Sequence, residues 1–236
     1  MKDALDGTAA GEWQPGEGEL LLRIDGRQPL SADRVAAVAA VCDSAEDLAG
    51  QARVIVQVSG TPEGPWTDDL TVALVSKWER ALRRLERLPA TVIAIADGDC
   101  GGPALDALLA TDYRIATGTV RLMLPVGDDA TWPGMALYRL ANQGANAAAI
   151  RRAVLFGAPV SAAEARALHL VDELSDDLAG AFTAAAGLTG ALSGTELAIR
   201  RQLLFDAATT SFDEALGVHL AACDRALRRA SAGAAR

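Results

Sequence analysis

Aromatic side chains are scarce: four Phe, four Trp and two Tyr make up 4 % of the 236 residues. The core must therefore be filled by closely packed Ala, Val, Leu and Ile. Cysteine and histidine are scarcer still. Cys42, Cys100 and Cys223 are widely spaced, no C-x-x-C occurs, and only His169 and His219 could join them. That set excludes a zinc site of the usual spacing, so no metal is expected. Basic charge is in deficit, with 22 Lys plus Arg against 31 Asp plus Glu and a net charge of −9. Such a chain is a poor electrostatic partner for nucleic acid or anionic lipid. No stretch of about 18 apolar residues is present, which excludes a membrane-spanning helix. The first 19 residues carry Asp3, Asp6, Glu12, Glu17 and Glu19 without an apolar run. They do not read as a secretion signal, and a reducing cytoplasm is the expected location.

What is present is apolar bulk. Half the composition is hydrophobic, enough for a sizeable core and too much for a disordered chain. The length predicts one or two domains. Residues 1–18 are rich in Gly and charge and read as a mobile leader. Residues 19–195 read as the core and 196–230 as a C-terminal helical region.

Within the core, Leu20–Ile24 reads as a first strand, and Ser31 as the cap of a helix presenting Val35, Val38, Val41 and Cys42. Arg53–Ser59 is a β-branched run and reads as a buried strand. Leu70–Leu88 has helical spacing at Leu74, Trp78, Leu82, Leu85 and Leu88. Its other side carries Lys77, Arg80, Arg83, Arg84 and Arg87, a solvated basic face or an anion or partner surface. Thr91–Ala96 is a second buried strand, followed by a tight turn at 97–102 and a short helix opened by Pro103. Tyr113–Ala116 and Val120–Val126 read as extended. The rest, through 136–142, 147–155, 161–168, 178–192 and 196–229, reads as helix. Strands alternating with helices predict a parallel sheet, hence an α/β fold.

Three stretches carry a family likeness. Residues 88–116, LPATVIAIADGDCGGPALDALLATDYRIA, run strand, Gly-rich turn, helix, strand. Residues 132–140 read WPGMALYRL, and 153–174 read AVLFGAPVSAAEARALHLVDEL. Together they resemble the crotonase (enoyl-CoA hydratase/isomerase) superfamily over roughly residues 20 to 230. The resemblance implies a crotonase-like (ββα)-type spiral core with a helical C-terminal trimerisation region. It implies a CoA thioester as the ligand and no cofactor. Further blocks, VALVSKWERALRRLERLPAT, RRAVLFG and ELAIRRQLLFDA, resemble the DpgB-type, hydratase-like auxiliaries of 3,5-dihydroxyphenylglycine biosynthesis in glycopeptide-antibiotic producers. That likeness implies a protein that assists a type III polyketide synthase in forming 3,5-dihydroxyphenylacetyl-CoA from malonyl-CoA. The implied partners are the synthase, a sister hydratase of the pathway, or further copies of the chain as trimers or hexamers.

The superfamily's device is an oxyanion hole of two backbone N–H groups beside carboxylates that move protons. Counted without gaps from Gly98 to Asp112, the family's first glutamate falls on Asp106. A helix dipole alone would also favour an acid there. The second glutamate falls on Val126, which cannot transfer a proton. Asp128 and Asp129 follow it, as substitutes or as a solvated loop. The helix-side oxyanion donor falls on Pro103, which has no N–H, leaving Gly102 as its neighbour. The loop-side donor falls within Thr67 to Asp69, with Asp68 at its centre, and the count does not fix which residue it is. Trp66 and Trp132 are walls of an aromatic acyl pocket or plain core, and Cys100 lines that pocket or fills space. Arg23 and Arg27 are candidates for a CoA phosphate or surface charge. Two functional readings follow: a binding auxiliary with a degenerate site, or an active dehydratase or aromatase of a polyketide thioester. A serine peptidase on the related Clp-type fold is excluded because no Ser occupies 98–103.

Overall fold

The strands are apolar on both faces because helices cover both. The computed structural model describes residues 15–48, 51–64, 66–127, 130–144, 147–190 and 194–234. The first fourteen residues of the expected leader, together with Asp128 and Asp129, lie outside the described residues. Strands β1 (Glu19–Asp25), β2 (Arg53–Gly60), β3 (Thr91–Gly101) and β4 (Tyr113–Ala116) are joined by β5 (Arg121–Met123), β6 (Val160–Ser161) and β7 (Glu173–Leu174). The main order is β1-β2-β3-β4-β7, all parallel; β5 adds to β3 in parallel and β6 to β5 antiparallel. The predicted parallel α/β sheet is the one found.

Successive side chains on a strand point to opposite faces. Leu22, Ile24, Val54, Val56, Val92 and Ala94 face one core, with helices α1 (Ala32–Asp47), α2 (Val72–Leu85) and α3 (Pro103–Leu109). Ile55, Ile93, Ile95 and Ile115 face the other, where α7 (Leu178–Thr189) supplies Ala181, Phe182 and Ala185. Side-chain caps start the helices as the sequence indicated for α1: Ser31 Oγ accepts from Arg34 N at 3.3 Å. Thr71 does the same for α2, accepting from Leu74 N at 3.1 Å.

Two expectations need correction. The predicted tight turn at 97–102 is a continuation of β3. Its pairing with β2 jumps from Ser59↔Asp97 to Gly60↔Cys100, and Asp99–Gly101 pair with β5. Gly98, at φ +62°, makes the bend, and Asp99 is held by Arg121 at 2.6 Å. The predicted single stretch 196–229 is two helices, α8 (Gly194–Ala207) and α9 (Phe212–Ala234). Ser211 and Glu214 form a reciprocal cap that restarts the helix. The remaining helices are α4 (Met135–Gln143), α5 (Ala148–Phe156) and α6 (Ala162–Ala167).

The buried side chain that ties on the helical end is Arg201. Arg201, buried on α8, donates to the carbonyls of Leu88 and Ala90 and, at 2.6 Å, to Asp112 Oδ2. The side chains described for α9 include none that is buried. No described helix is long and apolar enough to cross a membrane.

Candidate active site

The bend in β3 delivers the chain into α3. Gly102 is its N-cap, at φ 51° and ψ −129°. A Cβ there would stand 2.5 Å from Pro62 Cγ, so the position demands glycine twice over. Pro103 follows as the buried first helical residue. Its ring takes the place where a helix leaves an N–H unpaired.

One turn on, Asp106 leaves α3 toward α2 and α4. Its Oδ2 accepts from Trp78 Nε1 at 3.1 Å, and the backbone N–H of Ala136, in the first turn of α4, also donates to it. Burial raises its pKa to about 7, and the neighbouring carboxylate of Glu79 adds to the rise. Trp78, Arg139 and Ala136 pull the other way without cancelling it.

Asp106 walls a cavity of about 30 Å³, with Gly102, Pro103, Trp78 and Glu79 on the inner side. Trp66 and Trp132 close it, in edge-to-face contact with centroids 5.2 Å apart and planes at 84°. A second cavity of about 150 Å³ continues outward past the shared walls Pro29, Leu30, Trp66 and Leu70 to Arg27, Glu63 and Asp69. Both are smaller than the roughly 300–1,000 Å³ of ordinary ligand pockets.

The structure thus gathers Asp106, Gly102, Pro103, Trp66 and Trp132 around one cavity. It does not bring the other candidates there. Cys100 is buried among the core residues, lines neither cavity, and has its thiol pKa pushed up by that burial. Its alternating position on β3 turns it into the sheet's core. Asp68 is exposed in the turn at 66–69 and lines neither cavity; its neighbour Asp69 does. Val126 is 57 % exposed and pairs with Thr131 in an isolated antiparallel bridge, its methyl against Gly157.

Glu79 escaped the sequence reading. Arg139 of α4 holds it, Nη1 to Oε2 at 2.9 Å, and donates from Nε to Glu86 at 2.8 Å. Burial raises the Glu79 pKa despite Arg139. The usable signal was its spacing: it sits four residues after Val75 and three before Leu82, on the apolar seam of α2. Two of the five basic residues read on α2 are paired with acids. Arg84 meets Asp43 and Glu46 of α1, each at 2.6 Å, and Arg83 meets Glu86 at 2.8 Å.

A larger cleft, about 640 Å³, lies elsewhere. Its walls Arg23, Gln57, Ser59 and Ile95 share the pleat parity of Ile55 and Ile93, which places it on the α7 side of the sheet. Arg23 donates to Gln57 at 3.0 Å and Arg27 to Asp25 at 3.1 Å, so both side chains serve the strand ends.

Comparison with known proteins agrees with this architecture. The chain is 56 % identical over 213 residues to an enoyl-CoA hydratase of Amycolatopsis orientalis, covering 90 % of this chain and 97 % of the relative. The chain belongs to the enoyl-CoA hydratase family. No family model matches it. Its fold is similar to an enoyl-CoA hydratase/isomerase from Marinobacter aquaeolei, with TM-score 0.77, 18 % identity and coverage of 91 % and 90 %. It is likewise similar to an enoyl-CoA hydratase from Mycobacterium smegmatis, with TM-score 0.75, 19 % identity and coverage of 89 % and 87 %. The crotonase fold, with its parallel sheet and helical C-terminal region, is therefore established for this hydratase-family chain.

Among the described residues no group of three or more His, Cys, Asp and Glu is placed to hold a metal. The cavity, walled mostly by apolar groups, brings together two carboxylates, and burial raises the pKa of one, Asp106, to about 7. A carboxyl with a pKa near the working pH is suited to give and take protons.

Proposed function

We propose that the protein is an auxiliary of 3,5-dihydroxyphenylglycine biosynthesis, the pathway of glycopeptide-antibiotic producers. It enhances formation of 3,5-dihydroxyphenylacetyl-CoA by a type III polyketide synthase, and its own acyl-CoA site is degenerate for hydration. The carrying observation is Pro103, buried as the first residue of α3 where a hydratase-type site presents a helix-side N–H. Without that donor one half of the oxyanion stabilisation is gone; a single donor is worth about 2.7–4 kcal/mol elsewhere. Val126, exposed and outside the cavity, supplies no proton to a water. The family membership and the sequence blocks quoted above support the pathway role.

The test is the synthase with malonyl-CoA, alone and with this protein, measuring aromatic acyl-CoA. The expected result is a faster rate with the protein present; an unchanged rate overturns the reading. Crotonyl-CoA hydration by the purified protein is expected to fall about 10²- to 10⁴-fold below a working hydratase, the usual contribution of general acid–base catalysis. A spectrophotometric assay at an ordinary hydratase rate would refute the degeneracy.

A second reading, that the cavity dehydrates or aromatises a polyketide CoA thioester, is favoured by the buried Asp106 and its neighbour Glu79. Asp106→Asn separates the two. A variant that still enhances the synthase acts by binding; one that binds without enhancing had lost chemistry.

A further inference from the structure

Helix α2 has two faces, and the cavity uses only one. Trp78, Leu82 and Leu85 turn inward, while Lys77, Arg80, Arg83 and Arg84 lie on the outward half, with Arg87 in the turn that follows. Five of the 22 Lys and Arg thus fall between 77 and 87, in a protein of net charge −9. Arg84 meets Asp43 and Glu46 of α1, and Arg83 meets Glu86. Lys77, Arg80 and Arg87 are exposed and have no acid within ion-pair reach among the described residues. Residues three and four apart are neighbours on a helix, so Lys77 faces Arg80, and Arg80 faces Arg83 and Arg84. Like charges at that spacing weaken the helix that carries them. The negative end of the helix dipole accounts for Arg83 and Arg84 in the last turn, but not for Lys77 and Arg80 further back. Solubility does not call for the stripe either, since the net charge of −9 already serves it.

The stripe is narrow. Asp43 and Glu46 flank it on the α1 side, and Glu79 and Glu86 on the α4 side. From Lys77 to Arg87 it runs about 15 Å, at 1.5 Å per residue. A nucleic-acid duplex or a lipid surface carries anionic charge well beyond that width, onto the flanking acids. A helix with carboxylates along one face, a turn apart, fits between them. We propose that the outward face of α2 is the surface through which the protein meets the synthase, and that the synthase presents an acidic helix face to it. The inference rests on the auxiliary reading and leaves Asp106 and its cavity out of the contact. Lys77, Arg80 and Arg87 are the cations free to pair with the partner's carboxylates. Exposed charges of this kind speed encounter more than they prolong a complex, and salt screens them.

The experiment follows association and dissociation of the full chain on immobilised synthase, with no CoA ester present, from about 0.05 to 0.5 M NaCl, a range that screens exposed charges progressively. Wild type is compared with a neutral variant (Lys77→Gln, Arg80→Gln, Arg87→Gln) and a reversed one (Lys77→Glu, Arg80→Glu, Arg87→Glu). Each is then titrated into the synthase assay with malonyl-CoA. At low salt the reversed variant is expected to lose about tenfold in affinity and the neutral one less, through the association rate. The deficit is expected to fade at high salt, and at saturating protein both variants should speed the synthase as wild type does. Gln is a good helix former, so the neutral variant decides should the reversed one not fold. Wild-type affinity in the variants overturns the proposal and leaves the auxiliary reading standing. So does a loss that is the same at every salt concentration, or one confined to the dissociation rate. Wild type that holds duplex DNA or phosphatidylglycerol vesicles through these three residues, with synthase binding unmoved in the variants, also overturns it. Wild type that neither binds the synthase nor speeds it overturns the auxiliary reading and the proposal together.

Discussion

At the scale of single residues, Pro103 and Asp106 show stability and chemistry asking for different things. Pro103 fits the first turn of α3 because its fixed φ suits that position and no N–H is needed there. Pro103→Gly restores an N–H but frees the unfolded chain. Chemical denaturation is expected to show a loss of about 0.5–1 kcal/mol, the usual scale of such exchanges. Asp106 gives a pH signature. Its ordinary value is 3.8 and its folded value about 7. Between these the folded chain keeps a proton that the unfolded chain has released. Stability contributed by the neutral acid is therefore complete below about pH 4 and is lost as pH rises through 7. The slope is at most about 1.4 kcal/mol per pH unit. Asp106→Asn keeps an acceptor for Trp78 and Ala136 but cannot titrate. The stability difference between wild type and variant is expected to drift against wild type from pH 4 to 7 and then level off. Urea melts across that range check the sign. Asp106 was legible because a gapless count from Gly98 to Asp112 lands on it. Glu79 was legible only as an acid on the apolar seam of α2; that this seam meets the cavity beside Asp106 is set by the folded sheet.

Elements were legible where composition and burial coincide. Val54, Ile55 and Val56 are apolar on both pleat faces because helices cover both, so Arg53–Gly60 reads correctly as a buried strand. The bend of β3 was hidden because Asp97-Gly98-Asp99 has the composition of a turn. Only the pairing of Asp99–Gly101 with β5, brought back from a later segment, makes it strand. The break between α8 and α9 at 208–211 is short and carries no Gly or Pro to mark it, although Ser211 and Glu214 spell a capping box. The attachment of α8 also came from tertiary structure alone. Arg201 satisfies two carbonyls at the α2–β3 junction and Asp112 at once. Removing one partner of such a buried pair costs about 3–5 kcal/mol. Arg201→Met is expected to lose stability toward the lower part of that range, because Asp112 retains some solvent contact. Amide hydrogen exchange should show the loss first in α8 and α9, since the remaining anchors of α8 are half-buried.

At the scale of the whole molecule, α9 is a helix of 23 residues with no buried side chain among those described. It packs on α8, and its large apolar groups face outward: Phe212 is 78 % exposed, Leu220 58 % and Leu227 68 %. Leu204 and Phe205 extend that surface along α8. Burying one such side chain is worth about 1.5–3 kcal/mol, so several together outweigh much of the cost of association. Ionic contacts already brace the hairpin from within: Arg200, Arg225 and Arg229 all converge on Glu196. The α8–α9 hairpin therefore presents a stiffened apolar face that nothing among the described residues covers. The protein is expected to self-associate through this face, as trimers or paired trimers, or to dock there on the synthase proposed as its partner. Light scattering at micromolar concentration is expected to give a multiple of 24.4 kDa. Phe212→Ser with Leu220→Ser should shift that mass toward the monomer while leaving Asp106 and its cavity intact. If the wild type is a clean monomer, the outcome turns on the synthase: co-elution with it that the double variant abolishes assigns the face to the partner, and a monomer that also ignores the synthase sinks the assignment of this surface to assembly.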